Sequence, residues 1–336
     1  MMISWRRAGY LWLAGLALAA AGCGAAGGTQ AVVHAAGATG SPAAVTAALA
    51  APSGTPSAPG TTASATAGVL DGTPAASGMP TPAVTATATP CTETKGAFSS
   101  VAVPSAMLRY PIDTRIYLPP CYASSGKAYP VLYLIHGLNF TQDQWERLGV
   151  GTTADKLIAA GEIAPLIIVL PRDRKDVRLD PAFVTDLVPY IDMHYRTLAT
   201  RAYRAIGGLS RGGGWSIHLG LRYPEMFGRV GAHSPAVFFG DENNLLQYAR
   251  TDAKIKLAPV VYLDIGDNDA QRQSAAWLDQ VFTWFNFPHT YKVQSGGHTE
   301  SYWSAHIADY LHFYAADWLL PEATAPPLPT PTWPYE

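Results

Sequence analysis

The chain has 336 residues and a formal charge of −2, from 23 basic and 25 acidic side chains. That balance, with no basic patch or Arg-rich face, argues against nucleic acid as a partner. The three cysteines, Cys23, Cys91 and Cys121, make no C-x-x-C pair and no Cys/His cluster at zinc spacing, so no metal site is expected.

Residues 1–23 read as an export signal. Arg6 and Arg7 give a positive start, and the apolar run over 10–21 is too short to span a bilayer. The run ends Ala20-Ala21-Gly22-Cys23, which resembles a bacterial lipoprotein box whose Cys is lipidated after cleavage, with Ala where the box usually has Leu. This predicts an extracytoplasmic protein held at the membrane through Cys23. The alternative is an ordinary signal peptide cut nearby, giving a secreted protein. Residues 24–90 are almost all Ala, Gly, Thr, Ser, Pro and Val, with Asp71 the only charged side chain. Such a segment cannot bury enough apolar area to offset its ordering entropy and reads as a flexible spacer. Residues 321–336 are Pro-rich and read as extended. One folded domain is left, 91–320. In an exported chain Cys91 and Cys121 are expected to pair, the alternative being two free thiols.

Within that domain, residues 115–119 alternate like an edge strand. Residues 130–135 (PVLYLI) form a continuous apolar run, the mark of a strand buried on both faces, and end at His136-Gly137-Leu138-Asn139. Helical spacing follows over 153–160, then a second buried strand over 165–170. Residues 181–195 read as an amphipathic helix with a break or kink at Pro189. Residues 203–227 (YRAIGGLSRGGGWSIHLGLRYPEMF) read as strand, sharp turn and helix, with G-x-S-x-G at the turn: Gly208, Ser210, Gly212. A short strand over 229–232 leads to His233, and a buried strand over 259–265 follows. A helix is predicted over 269–285, with Trp277, Val281 and Trp284 on one side. The last strand, 289–294, runs into Gly296-Gly297-His298, and a helix over 304–319 closes the domain. Strands alternating with helices predict an α/β fold: a mostly parallel sheet covered on both faces.

Ligands of such a sheet sit beyond the carboxyl ends of its strands. Ser210, Asp269, His298 and the 136–138 turn all fall at that edge, in the chain order serine, acid, histidine. A serine hydroxyl needs a base to become nucleophilic. His298 would take the proton and pass it to the leaving alcohol, and Asp269 would hold the imidazole in one tautomer. Backbone N–H groups of Leu138 and Arg211 would bind the oxyanion. Asp267 is the alternative acid, and Asp264, within the apolar run, is expected to point into packing. His136 is expected to support the oxyanion turn, and His194, His218, His233, His306 and His312 to be packed, structural or solvated. Trp145, Trp215, Tyr302 and Trp303 fall near the expected cleft, where they would stack on a sugar or aromatic acyl group; their alternative is the core.

At these residues the chain resembles the esterase family that includes esterase D, feruloyl and acetylxylan esterases, enterochelin esterases and the bacterial mycolyltransferases. The blocks YLPPCYASSGKAYPVLYLIHGLN, LVPYIDMHYRT, GGLSRGGGWSIHLGLRYPEMFG, GDND and GGH carry the resemblance in order, over about 117–313. It implies the α/β-hydrolase fold and a cofactor-independent serine esterase, with Ser210, Asp269 and His298 as the triad and Leu138 and Arg211 at the oxyanion positions. The implied substrates are carboxylic esters, most simply feruloyl or acetyl groups on carbohydrate. An acyltransferase, a siderophore esterase with a basic pocket at Arg172, Arg174 and Arg211, and a non-catalytic surface binding protein are the alternatives. The chain departs from the family at Cys121, where Gly is common, and at Arg211, where an apolar residue is common. The Arg211 side chain would meet an acidic or sugar ester, or solvent.

Overall fold

The computed structural model describes residues 91–175 and 178–318. The predicted signal, the lipidation residue Cys23, the spacer and the Pro-rich tail lie outside the described residues.

Eight strands build one sheet: β1 (Ala97–Val103), β2 (Ile112–Leu118), β3 (Val131–Ile135), β4 (Ile167–Pro171), β5 (Arg204–Leu209), β6 (Arg229–His233), β7 (Val260–Gly266) and β8 (His289–Gln294). Their spatial order is β1-β2-β4-β3-β5-β6-β7-β8. The pairs β1–β2 and β2–β4 are antiparallel, and every other pair is parallel. The apolar runs of β3 and β4 are buried along their whole length, because helices cover both faces. Side chains alternate between two cores. Val131, Tyr133, Ile206 and Val230 face one side, under the helices Arg211–Arg222, Glu242–Ile255 and Arg272–Trp284. Leu132, Leu134, Ala205 and Leu209 face the other, under Val150–Ala159 and the closing helices.

Three details differ from the sequence reading, and a fourth gives an expected break its form. The strand expected at an edge over 115–119 is internal; β1, half-exposed and carrying Ser99 and Ser100, lies outside it. The break expected at Pro189 within 181–195 is present and takes the form of a π turn, Phe183–Leu187, just before it. That turn sits where the proline has no N–H to give the helical ladder. The closing helix is two, Glu300–Ala305 and Ile307–Ala315, broken at His306. Trp284 is 66 % exposed rather than packed beside the buried Val281. Cys91 and Cys121 are joined in a disulfide that ties the chain before β1 to the turn after β2.

Candidate active site

Ser210 stands between β5 and the helix Arg211–Arg222 at φ 55° and ψ −118°, a conformation rare for a residue with a side chain. The surroundings hold it there. Its N–H donates to the His233 carbonyl at 2.8 Å, and its own carbonyl accepts from the N–H groups of Gly214 and Ala236 at 3.1 Å each. The two motif glycines are demanded by contact. A Cβ on Gly208 would lie 2.3 Å from the Gly212 carbonyl, and one on Gly212 would lie 2.1 Å from the Ile135 oxygen.

His298 reaches this turn from the loop after β8. Its Nε2 lies 2.8 Å from Ser210 Oγ, and its Nδ1 lies 3.0 Å from both carboxylate oxygens of Asp269. The Asp269 side chain is fully buried and also accepts from the Gln271 N–H at 2.7 Å. A carboxylate at Nδ1 keeps the proton on that nitrogen and leaves the Nε2 lone pair facing the hydroxyl. Trp303 packs edge-on against the imidazole, 5.0 Å between centroids, and is fixed by its own hydrogen bond to Ser234 Oγ.

The three carboxylates at the end of β7 have separate partners. Asp267 accepts from the Gly296 N–H at 3.0 Å and so pins the loop that leads to His298. Asp264 is fully buried and accepts from His233 Nδ1 and from the hydroxyls of Tyr302 and Tyr310. Asp269 is the one of the three that touches His298.

The loop after β3 runs over the nucleophile, for a Cβ on Gly137 would lie 3.6 Å from that of Ser210. His136 Nε2 accepts from the Asp173 N–H at 2.9 Å, so its Nδ1–H donates to the Gly137 carbonyl at 2.8 Å. Burial pushes its pKa below 6.5, as this neutral, tying role requires. The Gly137 N–H donates to Gln144 Oε1 at 2.8 Å. Among the described residues no hydrogen bond uses the N–H of Leu138 or of Arg211, and Leu138 is 45 % exposed at the mouth of the site.

The Arg211 side chain is not simply offered to substrate or solvent. Its Nε donates to Asp173 Oδ2 at 2.5 Å, and Trp215 Nε1 donates to the same oxygen at 3.0 Å. Trp145 belongs to the core rather than the cleft: it is 1 % exposed, and its Nε1 donates to the Ile135 carbonyl beneath the 136–138 turn. Tyr302 and Trp303 are likewise buried, whereas Trp215 lines a cleft of about 390 Å³. Two adjoining clefts, of about 420 and 390 Å³, share Lys175 and Arg211. Asp173, Gln144 and Glu300, which position these groups, carried no signal in the sequence beyond the place of Asp173 at the end of a strand. Of the other histidines, His218 is buried between Asp180 and Asp241, and His194 stacks on Tyr190.

Comparison with known proteins identifies the family and the fold. The family model described as "Putative esterase" matches residues 105–314. An endo-1,4-beta-xylanase/feruloyl esterase of Xylanibacter ruminicola is 35% identical over 144 residues, 38% of this chain and 20% of that protein. Esterase Rv1288 of Mycobacterium tuberculosis is 28% identical over 156 residues, 42% of this chain and 33% of that protein. The matched region thus spans between a fifth and a third of the length of these relatives. Among solved structures, a ferulic acid esterase has a TM-score of 0.60 at 26% identity, over 67% of this chain and 98% of that one. The feruloyl esterase module of Clostridium thermocellum, complexed with sinapinate, has a TM-score of 0.59 at 19% identity, over 72% and 95%. The fold is that of the α/β-hydrolase esterases.

Proposed function

Since the chain belongs to this esterase family, we propose that it hydrolyses carboxylic esters through an acyl-enzyme formed on Ser210. The observation that carries the reading is the hydrogen-bonded line from Ser210 Oγ through the His298 ring to Asp269, at 2.8 and 3.0 Å. Ser210 Oγ attacks the ester carbonyl carbon while His298 Nε2 takes its proton. The oxyanion is met by the N–H groups of Leu138 and Arg211, the latter at the positive end of a helix. Asp269 stabilises the imidazolium. His298 then returns the proton to the leaving alcohol, and a water activated by the same imidazole releases the acid. Replacing Ser210 by Ala is expected to abolish turnover of para-nitrophenyl acetate; unchanged turnover would overturn the reading and favour a binding protein.

The alcohol is proposed to be carbohydrate, bearing feruloyl or acetyl groups. The Xylanibacter relative, named for both xylanase and feruloyl esterase, supports this. A panel of feruloylated and acetylated oligosaccharides tests it, and failure to release either acid rules it out. Export and a lipid anchor at Cys23 are supported by the Arg6-Arg7 start and the Ala-Ala-Gly-Cys box. Labelled palmitate should enter the expressed chain and be lost in Cys23→Ala.

A further inference from the structure

We propose that the cleft beside Ser210 favours esters whose acyl group carries a carboxylate, an inference that rests on the esterase reading and sets a different acyl group against the feruloyl or acetyl one proposed above. The chain as a whole is slightly acidic, at −2. The larger cleft is not: Arg172, Arg174, Lys175 and Arg211 line it against the single carboxylate of Asp173. Asp173 is fully engaged by Arg211 and Trp215. Arg172 and Arg174 share one further carboxylate, that of Asp113, at 3.6 and 2.8 Å. The Lys175 ammonium donates to the side-chain oxygen of Asn139, a neutral acceptor. Among the described residues, two positive charges are therefore left without a carboxylate partner within one cleft. Clustered like charge costs self-repulsion in the empty cleft and raises the local concentration of an anionic ligand.

The position of the cleft fixes which half of the ester it receives. Its walls are the loop that runs over Ser210, residues 137–141, and the loop after β4, residues 172–175. No wall comes from the loop that carries His298. The leaving oxygen must lie within reach of His298 Nε2, which delivers its proton. The alcohol is thus directed toward the His298 loop, and the cleft is left to the acyl chain. A volume of about 420 Å³ suits a short chain. The exposed apolar side chains of Leu138 and Phe140 line it together with the cations.

The test compares para-nitrophenyl hydrogen adipate with para-nitrophenyl hexanoate, two esters of equal chain length that differ in the terminal carboxylate. With the full chain at low ionic strength, kcat/KM is expected to favour the adipate by about tenfold. The preference should shrink as salt is added, because the cations are solvent-facing, and should shrink again in Lys175→Ala and in Arg174→Gln. A second pair places a sulfonate on the leaving phenol of the hexanoate and is expected to show no such preference. Absence of any charge preference overturns the inference, as does a preference confined to the leaving group. Hydrolysis of the hexanoate separates this outcome from failure of the esterase reading. If that hydrolysis is lost in Ser210→Ala, the esterase stands whatever the charge preference; if it persists, the esterase reading itself has failed.

Discussion

Gln144 and Glu300 meet across 156 positions of the chain, Gln144 Nε2 donating to Glu300 Oε1 at 3.1 Å. The other end of the same amide accepts the Gly137 N–H, and the Gln144 residue is fully buried. One side chain thus joins the turn that carries Leu138 to the helix that starts two residues after His298. Gln144→Ala would leave a buried N–H without a partner, at about 1–3 kcal/mol of stability. It should also lower kcat by about tenfold or more while KM changes less, because the donor is needed most in the transition state. Glu300→Ala should cost under about 1 kcal/mol, since Glu300 is half-exposed and also pairs with the exposed Arg147. Denaturant titration and steady-state kinetics of both variants check this. Wild-type kcat in Gln144→Ala would show that the turn needs no such support.

Asp269 and Asp267 are separated by the same logic of partners. An amide at 269 could donate to the imidazole and select the wrong tautomer, so Asp269→Asn should lower kcat by a factor on the order of ten thousand. Asp267→Asn keeps an oxygen for the Gly296 N–H and should cost far less. Comparable losses in the two variants would mean that Asp269 is not the partner of the base.

What the sequence made legible was whatever a local rule dictates. The runs of β3 and β4 could only be buried strands, and Gly208 and Gly212 announced a close crossing of strand and helix. The residues that escaped are set by neighbours distant in the chain. Trp145 and Trp303 look alike in sequence, yet one lies in the core under Ile135 and the other against His298. Register alone puts Asp264 opposite His233 across β6 and β7, inside the sheet. The partner of Arg211 is 38 residues away, and the farther of the two partners of Gln144 is 156. β1 was missed because only one of its seven residues, Val103, is buried.

The Cys91–Cys121 bridge closes a loop of 30 residues around β1 and β2. By loop entropy it should contribute about 3–4 kcal/mol. The paired replacement of both cysteines by Ser should lower the thermal midpoint by roughly 10 °C and leave kcat unchanged, since the bridge lies away from the β5 turn. Calorimetry of the double variant beside reduced wild type measures both. No shift in either would mean that the two strands are held by the sheet alone.

Asp252, on the helix Glu242–Ile255, is 2 % exposed, and its Oδ2 has no hydrogen-bond partner. Burial, with repulsion from Glu225, raises its pKa from 3.8 to about 7, against the pull of Arg201. Between those two pH values the folded protein binds a proton that the unfolded chain has released. The contribution of this group is therefore intact below pH 3.8 and is lost as pH rises to about 7, where the buried charge carries its full penalty. Asp252→Asn removes that penalty without changing shape. It should stabilise by about 2–4 kcal/mol near pH 8 and by little near pH 4. The guanidinium of Arg201 does not depend on the lost charge, because it already donates to the carbonyls of Pro224, Leu257 and Ala258. Thermal unfolding of both proteins at the two pH values decides the matter. Equal stabilisation at both would assign the gain to something other than the buried carboxylate, and destabilisation at the higher pH would show that the charge is matched in the folded state.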